Sequence, residues 1–165
     1  MTSIDCYLDL MSPQAYLAFE RLPEALRGVS YSVRYKPVLF ASLPKQQELL
    51  RLAVACDEAG TPNRYVCETI FRHVSACGDE ATDPLRLAAL SVQLAPVQDV
   101  ASESVNAQLK AHAAEAIAAG VLDLPTCVVD GRVFGGLDSL SMLRDYLLAG
   151  RGLRQPVSGC GKPQN

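Results

Sequence analysis

The chain has 165 residues, 49% hydrophobic and 20% charged, with 11 glycines and 10 prolines, which is the composition of one globular domain and excludes a disordered, collagen-like or coiled-coil chain. A chain of this length buries roughly 70% of the surface its unfolded form exposes, enough for a core without staples. The net charge of −3 leaves no electrostatic footprint for nucleic acid or an anionic membrane, and no apolar run reaches the roughly 18 residues that cross a bilayer.

The N-terminal segment carries Asp5 and Asp9 and has no basic residue before Arg21. A secretory signal opens on basic residues ahead of an unbroken apolar stretch, so the expected setting is cytoplasmic, where cysteines stay reduced. None of Cys6, Cys56, Cys67, Cys77, Cys127 and Cys160 forms a Cys-x-x-Cys pair. With only His73 and His112 beside them, the clustered ligands of a zinc site are missing, and no metal is expected. All but Cys160 read as small buried hydrophobes.

In chain order, Ile4–Leu10 has the length and boundaries of a strand, stopped by Ser12-Pro13. A hydroxyl at the N-cap with Pro at the first helical position starts a helix. Apolar Tyr16, Leu17, Phe19, Leu22 and Leu26 carry it to Gly28. Residues 30–38 alternate Tyr31, Val33 and Tyr35 against Ser32, Arg34 and Lys36, a second strand closed by Pro37. The opening is βαβ, which implies a parallel pair with a right-handed crossover. Residues 41–119 hold ten acids against six bases, the whole negative excess of the chain, and are rich in Ala and Leu at helical spacing. Helices are expected over 45–59, 62–76, 84–94 (opened by Asp83-Pro84) and 101–119. Thr126–Val129 is a short strand, Asp130-Gly131 a hairpin turn, and 132–134 the return strand. Asp138 is the expected N-cap of a last helix over 139–148, and the segment from Gly150 reads as frayed. The order is βαβ, a helical block, then ββα. By analogy of element order this is an α/β, thioredoxin-like sheet with an all-helical insertion. Residues 1–40 and 120–149 form the thioredoxin-like domain, 41–119 the insertion and 150–165 a flexible tail.

Three segments draw chemical interest. Asp9-Leu10-Met11-Ser12-Pro13 puts a hydroxyl where a strand enters a helix N-terminus, which favours a thiolate or phosphate; taken alone, Ser12 is an ordinary cap. Asp123-Leu124-Pro125-Thr126 precedes a short strand, where Pro is often an edge or turn residue. In a thioredoxin architecture this proline is cis, faces the first helix and leaves the backbone N–H and C=O of Leu124 free to pair with an extended peptide. Phe134-Gly135-Gly136-Leu137-Asp138 lets a ligand approach backbone closely, and alone is a loop and a cap. Their coincidence in this order is the signal.

At these residues the chain resembles a known family. Residues 4–13 with Tyr16-Leu17-Ala18-Phe19-Glu20-Arg21-Leu22 look like the opening of 2-hydroxychromene-2-carboxylate isomerases. These are grouped with kappa-class glutathione transferases in the DsbA-like branch of the thioredoxin superfamily. Gly78-Asp79-Glu80, Asp83-Pro84, 115–121, Leu124-Pro125-Thr126, 128–134 and Asp138 agree. The resemblance implies glutathione as cofactor, with the serine matching Ser12 hydrogen-bonding its sulfur and favouring the thiolate. That thiolate adds reversibly to a small aromatic substrate. The backbone of Leu124, beside Pro125, is implied to hold the cysteinyl part of glutathione, and Leu137 and Asp138 its γ-glutamyl end. A homodimer is the assembly such relatives often form.

The chain departs from the family where Phe-Trp-Gly-Gln-Asp-Arg becomes Phe134-Gly135-Gly136-Leu137-Asp138-Ser139, where Phe-Gly becomes Leu122-Asp123, and where Asn-Thr becomes His112-Ala113. The helical block is also shorter between Leu43 and Thr69, where Lys45 is the one candidate for the family's substrate lysine. Cys127 reads as a core cysteine that is placed, alternatively, for a mixed disulfide with glutathione, and His112 as a satisfied or surface histidine. The expected activity is glutathione-dependent isomerisation of an aromatic-degradation intermediate. The alternatives are a kappa-type glutathione transferase, a thiol oxidoreductase, which lacks both thiols in Ser12-Pro13-Gln14-Ala15, and a non-catalytic thioredoxin-fold module.

Overall fold

A computed structural model describes residues 1–40 and 44–152. Strand β1 (Thr2–Leu8) leads through helix α1 (Pro13–Ala25) into β2 (Tyr31–Pro37), and the two strands pair in parallel with Cys6 opposite Tyr35. Four helices follow: α2 (Pro44–Ala55), α3 (Arg64–Cys77), α4 (Pro84–Leu94) and α5 (Glu103–Ala118). The chain then forms the hairpin β3 (Thr126–Val129) and β4 (Arg132–Gly135) and ends its described part in α6 (Leu140–Gly152). The sheet order is β2-β1-β3-β4, with β1 antiparallel to β3. At the hairpin turn Asp130 and Gly131 have φ of +50° and +76°, the pair of positive angles a two-residue type I′ turn requires. The expected order, βαβ, helices, ββα, is the one observed.

Period-two alternation along β1 divides the core between the two sheet faces. Ile4, Cys6 and Leu8 face a large cluster with Phe19 and Leu22 of α1, Leu143 of α6, and Leu49, Ile70 and Phe71 of the helical block. Tyr7 faces the other way, with Val38, Val128 and Ala116 of α5. Among the described residues, Lys36, His112 and Thr126 are the buried polar side chains, and all three lie on that second side. Lys36 Nζ bonds the carboxylates of Glu115 and, at 3.4 Å, Asp5, which Arg34 also grips at 2.6 and 3.0 Å. His112 Nδ1 meets the carbonyl of Pro37 at 3.0 Å; a carbonyl only accepts, so Nδ1 carries the proton. His112 is thus the satisfied histidine expected.

Boundaries shift where a side chain captures backbone. β1 runs over 2–8 instead of 4–10 because Asp9 turns the chain out of the sheet: its carboxylate takes the Met11 N–H at 2.9 Å and its carbonyl the Ser12 N–H at 3.2 Å. α2 stops at Ala55, short of 59, because the Asp57 carboxylate folds 57–61 by accepting from Ala59 and Thr61. Asn63 and Ser102 cap α3 and α5 through Val66 N–H and Val105 N–H, moving both starts inward. Asp138 caps nothing. It lies in a 3₁₀ turn, Leu137–Ser139, without a side-chain cap bond, and α6 begins after it. α6 also continues through 150–152, into the segment expected to fray; 153–165 lie outside the described residues. Among the described residues no helix is long and apolar enough to cross a membrane.

One contact sets how the helical block meets the sheet domain. Pro23 lies inside α1, and a proline there cannot donate to the carbonyl four residues back. That carbonyl belongs to Phe19. It receives Arg64 Nη1 at 3.3 Å, and the same nitrogen lies 3.3 Å from the Tyr35 hydroxyl. The guanidinium also covers the Phe19 ring at 4.2 Å, a cation–π contact. Arg64→Ala is expected to lower stability by about 2–3 kcal/mol, since it strands a buried acceptor. Pro23→Ala returns an N–H to Phe19, so the loss on Arg64→Ala should shrink in that background. A double-mutant cycle from urea unfolding checks the coupling.

His112 gives a pH prediction. Burial pushes its imidazole below the usual histidine range, against the Pro37 carbonyl and Glu115, which favour protonation. The folded state therefore binds the proton less readily than the unfolded chain. This contribution is complete above the ordinary pKa of about 6.5 and is lost as pH falls through the folded value. Stability measured by urea unfolding should decline as pH drops below about 6.5, and His112→Gln should flatten that slope.

Candidate functional site

Ser12 caps α1 with extended backbone, and its Oγ accepts the Ala15 N–H at 3.3 Å. Accepting leaves the hydroxyl proton available to donate outward. First-turn N–H groups and the helix dipole add positive potential at the same point. The hydroxyl opens on a groove of about 340 Å³, bounded by Met11, Pro13 and Tyr16 on one side and by Phe71, Val74 and Ser75 of α3 with Gly78 and Asp79 on the other. The Tyr16 and Phe71 rings stack with centroids 5.0 Å apart and planes 11° from parallel, with Tyr16 half-buried at the groove and Phe71 buried behind it. None of these lining residues is basic, so the hydroxyl and the helix terminus are its positive features.

The second and third expected segments meet each other. The Leu124–Pro125 bond is cis, as a thioredoxin-like architecture implies. Pro125 is buried and shares a tight space with Ala18 and Leu22 of α1 and with Gly136 and Leu140. Its carbonyl accepts the Gly136 N–H at 2.9 Å, with Gly136 at φ +79°. Leu137 is half-buried against the core, and the Asp138 side chain is exposed. Pro125 thus joins α1 to the 136–138 loop, whereas Ser12 faces a groove completed by α3.

Leu124 departs from expectation. Its N–H is not free: it donates to Oδ1 of the preceding Asp123 at 2.8 Å. The Asp123 carbonyl in turn accepts from the buried Thr126 hydroxyl at 2.6 Å. Asp123 stands where the resembled family has glycine, which is why the competing carboxylate exists at all.

The cysteines divide. Cys6 and Cys127 lie opposite each other on β1 and β3, both buried, with sulfurs 3.6 Å apart. The sulfur–sulfur hydrogen bond with Cys127, in which the Cys6 S–H is retained, and then burial push the Cys6 thiol well up. Burial raises Cys67 too, and Cys56 to about 11. Cys6, Cys67 and Cys127 are the core cysteines expected; Cys56 and Cys77 are only half-buried. Cys160 and the Lys45 side chain lie outside the described residues. Among the described residues no group of three or more His, Cys, Asp or Glu is placed to hold a metal.

The groove residues Tyr16 and Phe71 and the competitor Asp123 are the ones sequence reasoning missed. Tyr16 carried a signal, since four residues after a helix cap is one turn on along the same face. Phe71 carried none, being brought in only by the docking of α3.

A family model described as a DSBA-like thioredoxin domain matches residues 3–148. No curated protein matches the chain by sequence. Among solved structures, the chain is similar to the oxidoreductase DsbA from Xylella fastidiosa, at 16% identity and TM-score 0.71, over 92% of this chain and 86% of that one. It is similar to a 2-hydroxychromene-2-carboxylate isomerase at 19% identity and TM-score 0.67, over 92% and 96%. A third likeness is to a putative protein-disulfide isomerase from Pseudomonas syringae, at 19% identity and TM-score 0.61, over 88% and 92%. At these identities the likeness is one of fold.

The cap has a structural value of its own, separable from any ligand. Ser12→Ala is expected to cost about 1 kcal/mol in urea unfolding, and Ser12→Asp, an equally good cap, to recover most of it.

Proposed function

We propose that this chain, which belongs to the DSBA-like thioredoxin domain family, binds glutathione and uses it to isomerise a small aromatic compound of the kind met in aromatic degradation, such as 2-hydroxychromene-2-carboxylate. The observation that carries the reading is Ser12: a hydroxyl at a helix N-terminus, free to donate, on the rim of a groove bordered by Tyr16 with the Phe71 ring buried behind it. When bound, glutathione would supply a thiolate nucleophile that adds to the substrate and leaves again.

The chain's own residues then have distinct tasks. Ser12 donates a hydrogen bond to the sulfur and, with the α1 terminus, favours its ionised form. It does not attack substrate itself, and among the described residues no histidine or carboxylate bonds its hydroxyl as a base would. Tyr16, half-buried and backed by the buried Phe71 ring, offers an apolar surface to a planar ring. Leu124, beside Pro125, is assigned to the peptide part of glutathione once Asp123 swings away, and Leu137 and Asp138 to its γ-glutamyl end. A cytoplasmic setting, where reduced glutathione is plentiful, goes with this reading.

A thiol oxidoreductase of the dithiol kind is disfavoured, because Ser12-Pro13-Gln14-Ala15 holds neither an attacking nor a resolving sulfur. One observation favours a non-catalytic module instead: the carboxylate of Asp123 already occupies the Leu124 N–H.

Glutathione titration decides between these readings. Reduced glutathione at about ten times its Kd should stabilise the protein by about 1.4 kcal/mol, roughly 3–6 °C in melting temperature. A thiolate absorbance should appear near neutral pH and be lost in Ser12→Ala, with Ser12→Thr retaining part of it. Neither a thermal shift nor a thiolate signal would leave the non-catalytic module as the answer.

A further inference from the structure

On the side of α3 away from the Ser12 groove, three side chains form a cluster that the reading above does not use. His73 and Cys77 are one helical turn apart. The imidazole Nε2 lies 2.7 Å from the carbonyl of Ala81, which can only accept, so Nε2 holds the proton and Nδ1 presents its lone pair. That lone pair faces the Cys77 sulfur at 3.9 Å. From α4, Arg86 Nη1 donates to the same sulfur at 3.5 Å, while its Nη2 grips Glu80 at 2.8 Å.

The cluster lines an open cleft of about 520 Å³, whose wall also includes Tyr65, Arg72 and Gln93. Cys77 is half-buried there, unlike the core thiols of Cys6, Cys67 and Cys127. A thiol with a base on one side, a carbonyl holding that base in the right tautomer, and a guanidinium on the sulfur is arranged for nucleophilic attack. The C-terminal end of α3 carries partial negative charge near the sulfur, and Arg86, which Glu80 also pairs, places a guanidinium N–H directly on it. The other charges facing the cleft are Arg72, paired with Glu68, and Glu80.

We propose that Cys77 is a reactive thiol that exchanges with small anionic disulfides, with His73 as its base and Arg86 and Arg72 drawing in the carboxylates. The Cys77 proton passes to His73 Nδ1, and the thiolate attacks one sulfur of the disulfide. That S–S bond breaks as a new one forms to Cys77, and the departing thiolate takes the proton back from His73. One thiol and one disulfide enter, and one mixed disulfide and one thiol leave. This assignment is independent of what binds at Ser12.

Two disulfides of nearly equal shape and opposite charge, dithiodipropionate and cystamine, test it on the full chain, with peptide-resolved mass spectrometry reading each cysteine separately. Cys77 should be modified about tenfold faster than Cys56, the other half-buried thiol, and faster by the anionic reagent than by the cationic one. Arg86→Gln, a change at an exposed side chain, should remove most of the preference for the anion. His73→Gln, which keeps a donor for Ala81, should slow both reagents about tenfold at neutral pH. Melting curves confirm that the variants fold, and Arg86→Gln alone suffices if His73→Gln does not. Equal rates at Cys77 and Cys56, or rates at Cys77 unchanged by Arg86→Gln, would overturn the proposal.

Discussion

The guanidinium of Arg64 ties three elements at one point. α1 contains a proline that leaves the Phe19 carbonyl without its helical donor, and Arg64, the first residue of α3, supplies one while touching the Tyr35 hydroxyl of β2. Removing water from an unpaired carbonyl is costly, so α3 is held against α1 by a requirement of the backbone as well as by apolar contact. Because α3 docks there, Phe71 reaches both Phe19 and Tyr16, with centroids at 5.2 and 5.0 Å. The groove beside Ser12 is a consequence of that docking. The sheet domain alone would present the same hydroxyl on an open helix end.

α3 then serves two surfaces at once. Phe71, Val74 and Ser75 face the Ser12 groove, while Tyr65, Thr69, Arg72, His73 and Cys77 face the α4 cleft. Helical periodicity separates the sets cleanly, since residues three and four apart share a face. Val66, Cys67 and Ile70 fill the buried stripe between them and the core. Under the two proposals, one helix links a non-thiol site, whose reactive sulfur comes from a ligand, with a cleft where the protein provides its own. Their electrostatic settings differ: the first has a helix N-terminus and a hydroxyl, the second a helix C-terminus with an arginine on the sulfur.

Local signals in the sequence carried most of the fold. Ser12-Pro13 and Asp83-Pro84 mark helix starts because cap and first-turn proline act within three residues, and Asp130-Gly131 marks a turn because only certain residues accept positive φ. Asp57, Asn63 and Ser102 moved boundaries by the same local chemistry, in competition with apolar spacing that pointed further out. What remained illegible was long-range. Nothing in the neighbourhood of Lys36 announces that Glu115 and Asp5 will bury it, and nothing near Pro23 names Arg64. The site followed the same division: Ser12 and Pro125 stood out from local pattern and family likeness, whereas the Tyr16–Phe71 stack depends on tertiary docking. Asp138 misled because a short acidic residue before an apolar helix looks like a cap. The 3₁₀ turn that it occupies instead takes up the residues over which the cap would have formed.

Charge decides where a tripeptide thiol would gain its affinity under the proposed function. Asp79 borders the groove, and Asp123 and Asp138 lie on the segments assigned to the peptide and γ-glutamyl ends. Asp138 can pair with the ammonium of the γ-glutamyl end, whereas Asp79 and Asp123 meet the net-anionic ligand as like charges. Freeing the Leu124 N–H from Asp123 breaks an exposed hydrogen bond at a cost of about 1 kcal/mol, roughly fivefold in affinity. The favourable terms concentrate at the sulfur, where the Ser12 hydroxyl, the α1 terminus and the Tyr16 ring converge. A site so weighted discriminates by thiolate and ring more than by the rest of the peptide. Other small thiols lacking the γ-glutamyl group would therefore lose less here than in a relative whose loop keeps a polar partner and an arginine beside the matching aspartate.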